Sequence, residues 1–179
     1  MLGPNIRGQK IHLEPVKHDD LDIFRSWFAD EQVTRYLLRR FVPGEKAEEE
    51  WFERASSAED VVCWSIVHDG KTIGNTAIVA IDWINRHAIT GLIIGDTSQW
   101  GQGIASETVR LRTHFAFQEL NLERLESESY EANVAMHRAL EKSGYQKVGR
   151  RRHQMFREGA WHDTFIFEVL RDGWLAERA

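Results

Sequence analysis

The chain has 179 residues, enough to bury one full hydrophobic core but too few for two comfortable domains. Hydrophobic residues make up 42% and charged residues 28%, proportions typical of a globular protein, and no apolar run approaches the length of a membrane span. The formal net charge of −5 argues against general nucleic-acid binding and weakly favours a cationic partner.

Cysteine usage and the first residues bear on where the protein works. A single cysteine, Cys63, excludes an internal disulfide framework and fits a reducing cytoplasm. The start of the chain, "MLGPNIRGQK", has no apolar core of the kind found in secretory signals. We therefore expect a cytoplasmic protein with no membrane association. Because Cys63 lies in an apolar run, we expect it to pack in the core rather than to act as a nucleophile.

The first half of the chain predicts a strand, several helices and a hairpin. The alternation in "KIHLEPV" (10–16) predicts a strand, and apolar residues at helical spacing follow it, with Asp19 as the expected N-cap. A short helix over 31–37 and an acidic helix over 43–57 come next. An Asp-Gly pair at 69–70 between two β-rich runs predicts a hairpin.

The second half predicts helices that alternate with strands. The expected strands cover 88–94, 123–130, 145–151 and 162–170, and the expected helices cover 103–120 and 132–144. The helix over 103–120 is apolar on two sides, which predicts that it is sandwiched rather than laid on a surface. This order predicts one α/β domain over 1–179, built on a mixed sheet with helices on both faces.

The octapeptide "QWGQGIAS" (99–106) joins a predicted strand to a predicted helix and holds two glycines two residues apart. The first amides of a helix are unpaired and carry partial positive charge, so this junction can bind an anion. Gly101 and Gly103 would let a phosphate reach those amides, whereas a tight turn without a ligand is the alternative interpretation. A dinucleotide fingerprint needs a glycine where Ser106 stands, and a P-loop needs a Gly-Lys-Ser/Thr sequence that is absent.

A second motif, "NVAMHRALEKSGY" (133–145), combines an early-helix asparagine, a Lys-x-Gly helix end and an aromatic that begins a strand. Together with "WGQGIA", it resembles the GNAT N-acetyltransferase superfamily. The segments "IDWINRHA" (81–88) and "REGAWHDTFIFEVLRDGW" (157–174) are similar to its branch of ribosomal-protein N-terminal acetyltransferases and their small-molecule relatives. The resemblance covers nearly the whole chain and implies a mostly antiparallel sheet of about seven strands.

The resemblance also implies an acetyl-CoA site on the turn. In this family the pyrophosphate of acetyl-CoA lies on a Gln/Arg-x-x-Gly-x-Gly/Ala turn, which corresponds here to the main-chain amides of 101–106. Asn133 matches an asparagine that contacts the cofactor arm, and an N–H near Ile93 matches the donor to the acetyl carbonyl. Arg138 is either a phosphate ligand or a solvated helix charge. The implied cofactor-binding residues are Ile93, Ile94, Trp100, Gly101, Gln102, Gly103, Ile104, Ala105, Ser106, Asn133 and Arg138.

The acid and base positions depart from the family pattern. Met136 stands where this branch has a serine, and Leu140 stands where many other members have a tyrosine. Apolar Ile89 replaces an acidic residue that is often found on the strand before the turn. Matching therefore assigns neither the general acid nor the general base.

Three residues of one predicted strand remain as catalytic candidates. Glu126, Glu128 and Tyr130 alternate onto one face beside the expected cleft. A carboxylate there could position the amine and take its proton through water. The alternative is that the two glutamates are ordinary exposed strand residues and that Tyr130 packs. His162 and Asp163, a pair common in this branch, are expected to make a structural hydrogen bond.

The implied function is transfer of an acetyl group from acetyl-CoA to a primary amine by direct attack, without a covalent enzyme intermediate. A lysine-like amine, with a pKa of roughly 10.4, is neutral in about one molecule in a thousand or fewer at pH 7. An α-amine, with a pKa of roughly 7.7–8.0, is about a tenth or more neutral. A missing base therefore favours a peptide N-terminus or an amino-acid-like amine as acceptor. An acyl-CoA-binding module that has lost catalysis is the alternative; no metal is expected, and the oligomeric state, a homodimer included, stays open.

Overall fold

Eight strands form one sheet in the computed structural model, which describes residues 1–176. The strands are β1 (Ile6–Arg7), β2 (His12–Pro15), β3 (Val62–His68), β4 (Lys71–Asp82), β5 (His87–Ile94), β6 (Arg124–Tyr130), β7 (Gln146–Arg157) and β8 (Ala160–Leu170). Their order across the sheet is β1-β2-β3-β4-β5-β6-β8-β7. Of these described pairings, only β5–β6 is parallel. The predicted mixed, mostly antiparallel α/β architecture is confirmed, and the two-residue β1 raises the strand count above the expected seven or so.

Helices cover both faces of the sheet, as predicted. They are α1 (Leu21–Phe28), α2 (Glu31–Thr34), α3 (Glu45–Ser57), α4 (Ile104–Gln118), α5 (Val134–Glu141) and α6 (Arg171–Ala176). The first three share one apolar cluster with Cys63, and the last three contribute to the main core on the opposite face. Val109 and Phe117 of α4 are fully buried in that core, in keeping with a helix that is sandwiched. Among residues 1–176, no helix combines the length and apolarity needed to cross a lipid bilayer.

The local start of α1 differs from the prediction. Asp20, not Asp19, occupies the N-cap position, and its side chain makes no capping bond to the helix. Its buried carboxylate instead accepts hydrogen bonds from the Ser65 hydroxyl at 2.7 Å and the Thr72 hydroxyl at 2.8 Å. The Lys17 main-chain amide donates a third bond at 2.9 Å. Tertiary partners on β3 and β4 therefore determine which aspartate is buried, and local helix chemistry alone does not.

Several predicted boundaries also shift. The helix expected over 31–37 ends at Thr34, and the strand expected over 145–151 continues to Arg157 through an irregular register between Arg151 and Met155. The extra length pairs with β8, which begins at Ala160. Extra residues at such a bulge break the period-two alternation of side chains, so the continuation of the strand could not be recognised from the sequence.

The sheet opens between β5 and β6. The parallel pairing runs only from His87 opposite Arg124 to Thr90 opposite Ser127. Side-chain hydrogen bonds also join the two strands at this last pair. The Thr90 hydroxyl donates to the Glu126 carbonyl at 2.9 Å, and the Ser127 hydroxyl donates to the Thr90 carbonyl at 3.2 Å. On its other edge, β5 stays paired with β4 as far as Ile94. One edge of 91–94 is therefore left without a strand partner.

Candidate active site

A cavity of about 450 Å³ starts at the unpaired part of β5 and reaches the first turn of α4. Its wall contains all the predicted cofactor-binding residues except Gln102, namely Ile93, Ile94, Trp100, Gly101, Gly103, Ile104, Ala105, Ser106, Asn133 and Arg138. Residues from α2 and the segment after it, among them Gln32 and Tyr36, complete the wall. The sequence did not predict this contribution because α2 is short and carries no recognisable motif. The structure thus gathers the residues of both motifs around one space.

The turn before α4 presents a run of free donors. Gly101 (φ 76°) and Gly103 (φ 83°) adopt left-handed conformations that favour glycine. The first helical hydrogen bond runs from the Glu107 amide to the Gly103 carbonyl at 3.1 Å. Within residues 1–176, none of the main-chain amides from Gly101 to Ser106 donates a hydrogen bond to the protein. A left-handed turn followed by an uncapped helix start is therefore an anion-binding geometry.

Lys10, near the start of β2, adds a positive charge to this turn. Its ammonium donates to the Gln102 carbonyl at 2.7 Å and is 3.8 Å from the position that a Cβ on Gly103 would occupy. The buried Glu107 carboxylate accepts hydrogen bonds from the amides of Gln9 and Lys10, and so fastens the N-terminal segment to α4. Gln102 itself lies outside the cavity wall and presents its carbonyl to Lys10. No sequence pattern indicates a role for Lys10, because the contact joins distant segments.

The start of α5 forms the facing wall. The Asn133 side-chain oxygen accepts a hydrogen bond from the Met136 amide at 3.1 Å, which caps α5 and leaves the side-chain NH₂ uncommitted within the described residues. Arg138 and Lys142, four residues apart on one helical face, are exposed and line the cavity. In the part of the chain that the structure describes, neither lies within salt-bridge distance of a carboxylate. The site is therefore positive although the chain as a whole is acidic.

The free edge of β5 carries main-chain donors, but not at Ile93. The Gly95 amide donates to the Ile73 carbonyl at 2.9 Å, so Gly95 faces the β4 side. Successive amides along a strand point to opposite edges, and Ile93 therefore also faces β4. The amides of Leu92 and Ile94 point to the open side. The donor that we expect near Ile93 therefore corresponds to one of these two neighbouring amides. Trp100 reaches the same edge, since its indole N–H donates to the Ile94 carbonyl at 2.9 Å.

The two glutamate candidates lie outside the cavity wall and are engaged in ion pairs. Glu126 sits opposite Ile89 in the paired part of β5–β6, and its carboxylate is 2.7 Å from Arg124. Glu128 contacts Arg151 at 2.6 Å and also accepts a hydrogen bond from Thr164. Their shared face with Tyr130 agrees with the predicted alternation. Their partners leave neither carboxylate directed at the cavity.

Tyr130 approaches the cavity through Tyr36. Their rings are 5.5 Å apart and tilted by 31°, and Tyr36 lines the cavity. Neither hydroxyl has a hydrogen-bond partner among residues 1–176. Burial and the neighbouring carboxylates of Glu131 and Glu158 raise the pKa of Tyr130, so its hydroxyl stays protonated beyond the ordinary tyrosine range. Tyr36 thus contributes an uncommitted hydroxyl to the cavity wall, and Tyr130 contacts its ring from outside that wall.

The remaining residues that the sequence analysis singled out are buried, apolar or paired with a charged neighbour. Cys63 is buried in the cluster of α1–α3, where burial raises the pKa of its thiol to about 11. Leu140 is fully buried in the main core, whereas Met136 lines the cavity with an apolar side chain. Asp163 pairs with Arg150, and His162 lies 3.3 Å from the Glu131 carboxylate.

Similarity to known proteins agrees with this geometry. The family described as "Acetyltransferase (GNAT) domain" matches residues 10–146. The chain is 26% identical over 168 residues to an uncharacterized N-acetyltransferase, p20, from Bacillus licheniformis, covering 91% of this chain and 94% of p20. Its fold superposes on spermidine N-acetyltransferase from Vibrio cholerae, solved with CoA and spermine, with a TM-score of 0.87, 18% identity and coverage of 94% and 99% of the two chains. RimJ from Mycobacterium smegmatis, solved in complex with CoA-disulfide, gives a TM-score of 0.78 at 18% identity, with coverage of 90% and 82%.

Proposed function

The chain belongs to the acetyltransferase (GNAT) family, and from that premise we propose that it transfers the acetyl group of acetyl-CoA to a primary amine. The acceptor we propose is an α-amine, either a peptide N-terminus or a small amino-acid-like amine. The cytoplasm, where acetyl-CoA is available and Cys63 stays reduced, is the compartment that suits this activity.

The observation that carries the proposal is the row of free amides from Gly101 to Ser106. A diphosphate can accept several of these N–H groups at once, and the left-handed glycines keep side chains away from it. Lys10, Arg138 and Lys142 supply positive charge around the same turn. Asn133 is placed to donate its side-chain NH₂ to the pantetheine arm. No metal is invoked, since amides and cations together meet the needs of a phosphate ester.

Acetyl-CoA supplies the acetyl group as a thioester when it is bound. The neutral amine nitrogen adds to the thioester carbonyl carbon, and the Leu92 amide, at the free edge of β5, donates to the oxygen as it gains negative charge. The C–S bond then breaks and its electron pair leaves with sulfur. One proton is lost from nitrogen and one is gained by the thiolate, which gives an amide and free coenzyme A.

We assign the proton for the thiolate to the tyrosine pair. Tyr36 lies in the cavity wall, and the ring of Tyr130, whose hydroxyl stays protonated, contacts it from behind. The amine proton goes to water, which is sufficient for an α-amine because about a tenth or more of it is already neutral at pH 7. Glu126 and Glu128 are left out of this scheme because each carboxylate is held by an arginine.

A second candidate function is acyl-CoA binding without catalysis. The specific observation in its favour is Met136, an apolar side chain in the cavity wall where a proton donor would be expected. Calorimetric titration with acetyl-CoA, run beside a thiol-release assay over peptide N-termini, polyamines and aminoglycosides, separates the two. Binding with release on an α-amine supports the enzyme. Binding without release on any amine supports the module, and absence of binding contradicts both.

A further inference from the structure

Arg112 is a charged side chain in an unusual place. It lies near the middle of α4, in the main core, with no exposed surface. A buried charge is costly unless it is paired, and in the described residues no carboxylate lies within salt-bridge distance of this guanidinium. Burial lowers the pKa of Arg112, while the Tyr145 hydroxyl acts in the opposite direction. Packing alone does not explain why a charged side chain occupies this buried position.

The contacts of Arg112 converge on one peptide group of β5. Its Nη1 donates to the Gly91 carbonyl at 2.7 Å and to the Thr76 hydroxyl at 2.7 Å. The Thr76 hydroxyl in turn donates to the same Gly91 carbonyl at 2.9 Å. Gly91 is the first residue of β5 beyond the last pairing step with β6, which is Thr90 opposite Ser127. A buried cation and a hydroxyl therefore both donate hydrogen bonds to the carbonyl at the point where β5 and β6 separate.

The other end of that peptide group is the Leu92 amide. A trans peptide is planar, with its C=O and N–H pointing in opposite directions, and no cis bond occurs among the described residues. The Gly91 carbonyl points toward Thr76 and Arg112, so the Leu92 N–H points toward the open side of β5. The alternation derived from the Gly95 bond to Ile73 gives the same direction independently.

We propose that Arg112 is a positioning residue that polarises the Gly91–Leu92 peptide and so strengthens the Leu92 N–H as the donor to the acetyl carbonyl oxygen. Hydrogen bonds to a carbonyl polarise the amide to which it belongs, and this cooperative effect is larger where water is excluded. The charge stays fixed in the core, hence no reorganisation is needed when the oxygen becomes negative. The inference rests on the proposed acetyl transfer and deepens it.

A structural role and a polarising role make opposite predictions for Arg112→Met. Methionine fills a similar volume without charge, and replacement of a buried charge by an apolar side chain is often neutral or stabilising. We therefore expect an unchanged or higher Tm and an affinity for CoA within about twofold of the parent protein, because Arg112 does not line the cavity. We also expect kcat to fall about tenfold, less than the loss of a direct oxyanion donor.

The direct readout is the infrared stretch of ¹³C=O-labelled acetyl-CoA bound without an acceptor amine. In the parent protein the stretch should lie below its value in water, and in Arg112→Met it should move back toward that value. Arg112→Lys, which keeps the charge, should restore part of the shift, and Thr76→Val, which removes the hydroxyl, should lose a smaller part. If Arg112→Met does not fold, the infrared shifts of Arg112→Lys and Thr76→Val test the proposal in its place.

Each outcome has one meaning. A stretch and kcat that are the same in the parent protein and in the Arg112 and Thr76 variants would overturn the polarising role while leaving acetyl transfer intact. A loss of CoA affinity in a folded Arg112→Met, with an unmoved stretch at saturation, would assign Arg112 to structure alone. Failure of the parent protein to bind acetyl-CoA would remove the proposed function, and this inference with it.

Discussion

The ammonium of Lys10 donates a 2.7 Å hydrogen bond to the carbonyl of Gln102, 92 residues further along the chain. This bond places a cation from the segment before β2 beside the amides at the start of α4. It forms because Glu107 holds the amide of Lys10 at 3.1 Å and so fixes where the lysine side chain begins. The diphosphate site that we propose is therefore assembled from two distant segments, and its charge does not reside in the glycine turn alone.

Lys10→Ala should weaken CoA binding about fivefold, as expected for one partly exposed cation, and the loss should shrink as salt is raised. Pantetheine, which has no phosphate, should bind equally well to both proteins. Calorimetric titration at low and high salt measures the difference. Lys17→Ala is the matched control, because Lys17 pairs with Glu14 on the surface and does not line the cavity. Equal CoA affinity of the Lys10 variant at low salt would exclude a phosphate contact.

Gly103→Ala should reduce CoA affinity at least tenfold in a protein that remains folded. An added Cβ meets only Lys10 Nζ at 3.8 Å, so the free protein has room for it, but it would occupy the space of the diphosphate. The left-handed backbone (φ 83°) adds strain of about 1 kcal/mol. Gly70→Ala is a control with the same strain, since Gly70 (φ 72°) lies in a hairpin turn with nothing within 4 Å of the added carbon. Similar Tm losses with CoA affinity lost only at Gly103 are the expected result; equal affinities would place the diphosphate elsewhere.

The backbone conformation of the proposed cofactor turn could be predicted because it depends on local sequence. The glycines of the predicted strand-to-helix turn, Gly101 and Gly103, both adopt left-handed backbone conformations that favour glycine. Asn133 likewise caps the helix that its spacing predicts. The position of the free β5 amide could not be read from sequence because it depends on register. One residue decides which edge of a strand an amide faces, so Leu92 and Ile94 take the place that we expected near Ile93.

The acceptor half of the site that we propose was not predictable, since it depends on contacts between distant elements. Alternation placed Glu126 and Glu128 on one face correctly, but the arginines that pair with them were not readable from the pattern. Tyr36 reaches the cavity from the segment that follows the four-residue helix α2, and only the tertiary structure reveals how this segment packs. A catalytic role therefore cannot be assigned from residue type alone, because the hydrogen-bond and ion-pair partners of the side chain must also be known.

The double variant Tyr36→Phe, Tyr130→Phe should lower kcat by about 100-fold or more, the lower end of the range for general acid catalysis, with CoA affinity unchanged. Loss of both hydroxyls removes the proposed proton source while the contact between the two rings remains. Single-turnover thiol release with the best α-amine acceptor measures the effect. Since burial raises the pKa of Tyr130, the parent rate should not decline until the pH exceeds the ordinary tyrosine value of about 10.

Glu126→Gln is the control for the tyrosine variants. Its carboxylate pairs with Arg124 and does not line the cavity, so kcat and its pH profile should match those of the parent protein. A lower rate with a shifted pH profile would instead restore Glu126 as the base. If the double tyrosine variant had an unchanged rate, the thiolate would have to take its proton from water, and the pair would have no part in the mechanism.

Asp163 should contribute stability that depends on pH. The His153 amide donates to its carboxylate at 2.8 Å and Arg150 pairs with it, and these contacts lower the pKa of Asp163 in the folded protein. A lowered folded pKa stabilises the protein fully above the unfolded value of about 3.9, and this stability is lost as the pH falls through the folded pKa.

Asp163→Asn should therefore lower Tm by about 2–4 °C at pH 7, and the difference from the parent protein should narrow as the pH is taken from 4 toward 2. His153 has a left-handed backbone (φ 51°) at the irregular stretch of β7, so the bond from its amide to Asp163 holds a strained turn against β8. Thermal unfolding followed by circular dichroism over this pH range measures the difference. Asp22→Asn should change Tm little at any pH, because this aspartate is 94% exposed and its ion pair with Arg25 is screened by solvent. A Tm difference for Asp163→Asn that stays constant down to pH 2 would show that packing of the side chain, rather than its charge, stabilises the β7–β8 hairpin.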